Sequence, residues 1–174
     1  MSDFLPTDYE VPASSNGRYT KFQTGETRIR ILSRAIIGYE YFNNLKKPVR
    51  SRKPFDSLPT DIGINDKGET NPIRHFWAFV VWNYDTKQIE LCEITQKGLM
   101  QKIKSLVSDE DWGSPIEYDI KIVKEGEKLE TRYDIKPIPA KPLSEEVANA
   151  FSEAMPVDLE QLFVNGDPFN PPAK

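Results

Sequence analysis

Residues 74–95, RHFWAFVVWNYDTKQIELCEIT, contain the pattern that decides the fold. The segments HFWAFVVWN and QIELCEI are rich in aromatic and β-branched residues, which favour strands, and the YDTK between them is typical of a turn. They predict two antiparallel strands. The following residues, QKGLMQKIKSLVSD, place Leu99, Ile103 and Leu106 at helical spacing. They predict an amphipathic helix.

The flanking sequence predicts three further strands and a second helix. Residues 27–42, TRIRILSRAIIGYEYF, predict one long strand that bends near Ser33 or Gly38. Residues 116–139, IEYDIKIVKEGEKLETRYDIKPIP, alternate apolar and polar side chains around an EGEK turn and predict an antiparallel hairpin. Ser144 should begin a short helix, and Pro156 should end it.

The order of these elements is strand, insertion, strand, strand, helix, strand, strand. It predicts a mainly β protein, a five-stranded OB-fold-like Greek-key barrel with a helix between strands 3 and 4, an insertion between strands 1 and 2, and a short C-terminal helix. The alternative is an unrelated α+β sandwich. We expect a flexible N-terminal arm at 1–17, the OB-fold domain at 18–143 with a basic insertion at 43–73, and an acidic C-terminal helix and tail at 144–174. The chain after Pro156, rich in proline, is expected to be mobile.

The composition excludes several classes of protein. A single cysteine and a single histidine rule out an internal disulfide and a Cys/His zinc cluster. No stretch approaches the roughly 18 apolar residues of a membrane span, and the acidic N-terminus does not resemble a secretory signal. We therefore expect a cytoplasmic protein without a membrane association.

Charge is unevenly distributed along a chain whose net charge is -4. Residues 18–53 are basic and contain only two acidic residues, whereas the segment after Ser144 is acidic. This asymmetry predicts a surface that binds polyanions and an acidic segment that interacts with other proteins. A solvated surface with uneven charge is the alternative.

Motifs for catalysis are missing from the sequence. There is no GxGxxG, no Walker loop and no nucleophile elbow, and no nucleophile lies near His75. The acidic residues Asp109, Glu110 and Asp111 are interpreted as a solvated loop at a helix end rather than a metal site. We expect no enzymatic activity, no cofactor and no metal.

Single-stranded nucleic acid is bound by cations along the phosphates and by aromatic faces on which bases stack. Alternation in the strand 75–83 places two sets of side chains on opposite faces. The face expected to be the open platform carries His75, Trp77, Phe79 and Val81, and the face expected to be the core carries Phe76, Ala78, Val80 and Trp82. Packing of either ring in the core is the alternative. The predicted DNA-binding residues are Arg28, Arg30, Tyr39, Tyr41, Lys46, Lys47, Arg50, Arg52, Lys53, Arg74, Trp77 and Phe79.

The motifs FQTGETRIRILS, GYEYF, HFWAFVVWNY, EITQK and DWGSPIEYDIKI resemble the single-stranded DNA-binding (helix-destabilising) proteins of tailed bacteriophages, which are of OB-fold type. The resemblance covers about residues 22–142. It implies sequence-independent binding of single-stranded DNA in phage replication and recombination, in the host cytoplasm. It also implies an acidic C-terminus that contacts partner proteins and competes with DNA.

The chain departs from this family in two respects, and two other functions stay open. It lacks the ligands of the zinc subdomain found in some relatives, and it ends in GDPFNPPAK rather than in an acidic tip. A protein–protein interaction module of phage origin on the same barrel, such as an inhibitor or assembly factor, is the alternative function. A nuclease that uses the cluster at Asp109 is a third.

Overall fold

The computed structural model describes residues 18–172, so the arm expected at 1–17 lies outside the described residues. The strands are β1 (Gly25–Ile31), β2 (Ile36–Phe42), β3 (Pro48–Ser51), β4 (Arg74–Asn83), β5 (Gln88–Ile94), β6 (Asp119–Glu125) and β7 (Arg132–Pro137). The α-helices are α1 (Lys97–Ser108) and α2 (Glu145–Ala154). Short 3₁₀ helices lie at Pro115–Glu117, Lys128–Glu130 and Leu159–Val164.

The strands form one antiparallel sheet in the order β3-β2-β4-β1-β6-β7, with β5 on the other edge of β4. The long first strand is bent as predicted, because β1 and β2 both pair with β4 on either side of residues 32–35. At the bend the Leu32 N–H donates to the Val80 carbonyl, and the Val80 N–H donates to Ser33 Oγ, at 2.8 Å each. A side-chain oxygen thus replaces the missing strand partner, which confirms the bend near Ser33.

The sheet is open, which corrects the predicted barrel. In the described part of the chain β5 and β7 do not pair, and α1 lies between them with Lys102 paired to Asp134 of β7. The prediction of a mainly β fold with a helix after the strand 88–94 is confirmed. The sheet has seven strands rather than five, because the first strand is divided at its bend and the insertion contributes β3.

The inner face of the sheet carries the main core. Apolar side chains of β1, β4, β5 and β6 meet those of α1, and the buried members are Ile29, Ile31, Phe79, Val81, Cys92, Ile94, Leu99, Met100, Ile103, Tyr118, Ile120 and Ile122. The helix buries one face, as its spacing predicts. Residues of β6 and β7 alternate between the core and water over most of their length.

The C-terminal segment, residues 144–172, covers the outer face of β4 and β5. Ser144 Oγ accepts the Val147 N–H and begins α2, as predicted. Val147 then packs with Val80 and Trp82, and Leu162 packs with Phe76 and Leu91. Residues 157–172 were expected to be mobile, but the structure packs Leu162 and Phe169 of this segment against the sheet. The segment shields the apolar outer face of β4 from water.

A buried ion cluster joins β1 to β6. Asp119, which is 0% exposed, accepts hydrogen bonds from Arg28 Nε at 3.0 Å, Arg30 Nη1 at 3.3 Å and the Tyr84 hydroxyl at 2.9 Å. Arg30 also donates to the carbonyls of Ile116 and Lys141. Burial raises the pKa of Asp119, but the hydrogen bonds from Arg28, Tyr84 and Arg30 outweigh it and hold the pKa below its usual value.

Asp119→Asn should reduce the free energy of unfolding by about 3–5 kcal/mol at pH 7, because it leaves the buried guanidinium of Arg30 without its counter-charge. The pKa of Asp119 is lowered in the folded state, so its stabilisation is present above about pH 4 and is lost as the pH falls further. Urea unfolding measured from pH 7 to pH 2 should show the free energies of unfolding of the wild type and of Asp119→Asn converging as the pH falls. Asp134→Asn, which removes an exposed ion pair, is the control and should stay near wild type. A pH-independent difference would contradict this account.

Leu162→Ala should reduce the free energy of unfolding by about 2–5 kcal/mol, because it opens a cavity over Phe76 and Leu91. The matched control is Val164→Ala, two residues further along, where the side chain is 69% exposed and the change should stay within about 0.5 kcal/mol. Urea unfolding measures both. Equal stabilities of the two variants would show that the C-terminal segment is not part of the folded unit.

Candidate nucleic-acid interface

Three rings lie together on the inner face of the sheet, near the start of β4. Ile37 of β2 is opposite Trp77, and Tyr39 is opposite His75. The ring centroids of Tyr39 and His75 are 4.9 Å apart at an interplanar angle of 47°. Tyr39, His75 and Trp77 are half-buried, and Ile37 is 58% exposed. We name Tyr39, His75 and Trp77 the ring row.

The ring row is open because the core covers only the far half of β4. Beyond Phe79, the strand pairs with β1 and faces α1 and β6. Before Phe79, β4 pairs with β2. Strand β6 pairs with β1 and not with β2, so it does not cover this end of β4. Trp77 stands at this border, packed against the core and partly exposed. Trp77 is therefore half-buried at the edge of the core, and its role in binding stays a prediction.

The expected exposure of Phe79 and Tyr41 is corrected. Phe79 is buried in the main core, because the inner face of β4 is covered at that depth by α1. Tyr41 is buried beside Phe55, with ring centroids 5.1 Å apart, and its hydroxyl donates to Asp61 Oδ1 at 2.7 Å. That hydrogen bond, followed by burial, raises the pKa of Tyr41 to about 12. Neither ring presents a face to the surface.

Four of the predicted arginines are held by carboxylates. Arg28 and Arg30 are part of the Asp119 cluster, so they hold β1 against β6. Arg52 pairs with Glu160 of the C-terminal segment, and its guanidinium lies 4.5 Å from the centroid of the Phe163 ring. Arg50 is buried between two glutamates. The sequence could not show that acidic partners reach these arginines, and their role in DNA binding is not supported by these contacts.

Arg50 lies in a second buried cluster on the outer face. It donates to Glu40 Oε2 and to Glu93 Oε2, at 3.1 Å each. Burial, followed by the neighbouring Glu93, raises the pKa of Glu40. The Arg50 side chain is only 7% exposed and is paired with both carboxylates. Its guanidinium is therefore not available at the surface.

The remaining predicted cations are exposed. Lys46, Lys47, Lys53 and Arg74 have no ion-pair partner among residues 18–172. Lys46 and Lys47 lie between β2 and β3, and Lys53 follows β3 by two residues. Arg74 begins β4 directly before His75. The three lysines thus flank β3, the strand next to β2, whereas Arg74 alternates with His75 and faces the other side of β4.

Sequence reasoning did not assign three residues of this surface to DNA binding. His75 was placed on the platform face but not among the predicted DNA-binding residues, Ile37 was not assigned, and Arg34 was counted only in the basic segment. Arg34 is exposed at the bend between β1 and β2. Strand alternation in 36–42 could have placed Ile37 beside Tyr39, but the register of β2 against β4 is set by the bend, which the sequence locates only roughly.

Between this bend, β4, α1 and the turn before β6 lies an apolar groove of about 250 Å³. Its floor is formed by Trp77, Phe79 and Ile103, and its rim by Val107, Ile116 and Arg34. Trp77 therefore belongs both to the ring row and to the groove. The two features form one continuous surface on the inner side of the sheet.

No group of three or more metal-ligating side chains is found within residues 18–172. Asp109 Oδ1 instead accepts the backbone N–H of Asp111 and stabilises the turn after α1. Neither α-helix in this part of the chain is long and apolar enough to cross a membrane.

Comparison with known proteins identifies a relative from a bacteriophage. A protein of Escherichia phage T5 named "Probable ssDNA-binding protein" is 27% identical over 157 residues, which cover 75% of this chain and 60% of the relative. The chain thus spans about 60% of the length of this curated relative. No family model and no solved structure matches the chain. The resemblance to bacteriophage single-stranded DNA-binding proteins, which the sequence motifs indicate, is confirmed by this similarity.

Proposed function

We propose that this protein binds single-stranded DNA without sequence specificity and acts in phage DNA replication and recombination in the host cytoplasm, without enzymatic activity. The observation that carries the proposal is the open ring row of Tyr39, His75 and Trp77, bordered by exposed cations in a protein of negative net charge. The T5 relative supports the choice of ligand. The bent first strand, paired with both β4 and β6, and the helix after β5 support an OB-like arrangement.

Binding would combine stacking with phosphate neutralisation. Each base that stacks on an aromatic ring contributes about 1–3 kcal/mol, and every base has a π-face, so the ring row does not distinguish sequences. Lys46, Lys47, Lys53 and Arg74 would neutralise phosphates and release counterions. The buried arginines would take no part, because Asp119, Glu40 and Glu93 already compensate them.

The acidic C-terminal segment supports a second element of the proposal. Glu160 occupies the exposed guanidinium of Arg52, so a carboxylate stands where a phosphate could bind. We expect this segment to compete with DNA for Arg52 and to contact replication or recombination proteins. Its acidic residues are Glu145, Glu146, Glu153, Asp158, Glu160 and Asp167.

A protein–protein interaction module is the second candidate function. The insertion between β2 and β4 exposes large apolar side chains at Leu45, Leu58 and Ile64, which are 60–71% exposed. A protein partner would bury them, whereas single-stranded DNA would not require them. Absence of any binding to oligo(dT) would favour this function, and cleavage of the oligonucleotide with magnesium would favour a nuclease.

Tyr39→Ala should weaken binding of a fluorescently labelled oligo(dT) by about 5–150-fold, the loss of one stacked base. The matched control is Phe42→Ala, because Phe42 is an exposed ring on the same strand but on the opposite face. Fluorescence anisotropy at fixed salt measures both, and the control should change affinity by less than about twofold. If both variants bind as tightly as wild type, the ring row is not the stacking surface.

Replacing Lys47 and Lys53 by alanine should flatten the dependence of log affinity on log salt by about 1.4, or about 0.7 for each phosphate that is no longer neutralised. Lys121 and Lys136, which pair with Glu26 on β1 far from the insertion, provide a double alanine control with the same change in net charge. The control should keep the wild-type slope. A slope that changes equally in both doubles would mean that net charge, and not a local interaction, governs binding.

A further inference from the structure

The apolar groove next to Trp77 has the properties of a ligand site that remains uncovered. Val107 and Ile116 on its rim are 45% and 39% exposed, although both are large and apolar. Phe79 and Ile103 below them belong to the main core. Covering this surface would therefore remove apolar area from water on both the floor and the rim.

The size and lining of the groove restrict its occupant. Its volume of about 250 Å³ is below the range of about 300–1,000 Å³ typical of sites for drug-sized ligands. Apart from Ser33, Arg34 and Ser114 the lining is apolar or aromatic. The Ser33 hydroxyl is already engaged, since it accepts the Val80 N–H and donates to the Arg34 carbonyl. A small, flat and largely apolar group fits these conditions.

The position of the groove indicates where such a group comes from. Trp77 is part of the floor of the groove and is also the last member of the ring row, so a DNA strand stacked on Tyr39 and His75 reaches the groove next. Arg34 stands exposed on the rim, without an ion-pair partner in the described part of the chain. A nucleotide that inserts its base would bring its phosphate to this guanidinium.

We infer that the groove binds one unstacked base of the DNA strand, held between Trp77 and the Val107–Ile116 rim, with the adjoining phosphate on Arg34. This inference rests on the proposed function. Because the lining is largely apolar, the groove accepts any base that fits. Removing the base should therefore change the affinity more than replacing it by another base. An apolar side chain of a partner protein is the other occupant that the same surface could take.

A substitution that fills the groove tests the inference, since the resulting loss of affinity should occur only for a strand that carries bases. Val107→Trp places an indole on the rim, and Ser105→Trp places the same side chain on an exposed position of α1 outside the groove. The probes are a 12-nucleotide oligo(dT) and the same backbone with abasic residues throughout. Val107→Trp should weaken binding of oligo(dT) by at least about fivefold, the loss of one bound base, and leave binding of the abasic strand unchanged. Ser105→Trp should affect neither.

Three other outcomes overturn the inference in distinguishable ways. If wild type does not bind oligo(dT), the proposed function fails and the groove has no DNA ligand. If Val107→Trp binds oligo(dT) as tightly as wild type, the strand binds elsewhere and the groove is not a base site. If Val107→Trp weakens oligo(dT) and the abasic strand equally, the indole blocks the backbone and not a base.

Discussion

The apolar character of β4 on both of its faces is the constraint on which the rest of the structure depends. A strand with Phe79 and Val81 on one side and Phe76 and Val80 on the other must be covered twice. The inner cover is α1 with the strands β1 and β6, and the outer cover is the C-terminal segment. Only the beginning of β4, at His75 and Trp77, lacks a complete inner cover. The candidate binding surface is therefore the part of β4 that the inner cover does not reach.

Arginine and lysine have different tasks in this molecule. Arg28 and Arg30 bind Asp119, Arg50 binds two glutamates, and Arg52 lies over Phe163. Arg18 lies over Phe169, 3.8 Å from its ring centroid. The planar guanidinium suits such forked and stacked contacts, whereas lysine acts as a hydrated point charge. The basic segment thus contributes fewer free charges than its sequence indicates, and most of those that remain on the insertion are lysines.

Much of the fold could be predicted because it follows local patterns. Alternation of apolar and polar residues predicts β6 and β7, and helical spacing predicts α1. The bend at Ser33 is indicated by the polar residues that interrupt the apolar strand pattern there. The prediction that Phe79 is exposed was wrong. A strand that is buried on both faces does not alternate between apolar and polar residues, so its sequence does not show which face is open. The part of the outer cover that follows α2 escaped prediction, because its apolar residues, Leu162 among them, are dispersed between acidic residues and prolines. Long-range ion pairs such as that of Arg30 with Asp119 have no local signal at all.

The C-terminal segment packs closely against the backbone of β2 at Gly38. A Cβ at this position would lie 2.7 Å from the Ser51 carbonyl oxygen and 3.0 Å from the ring of Phe163, so Phe163 of the outer cover presses directly on the β2 backbone. Tyr39, the next residue, points to the opposite face and carries the ring row. The close approach therefore requires glycine at this position, because a Cβ would overlap the Ser51 carbonyl. The C-terminal segment and the candidate binding surface therefore lie on opposite faces of β2 at adjacent residues.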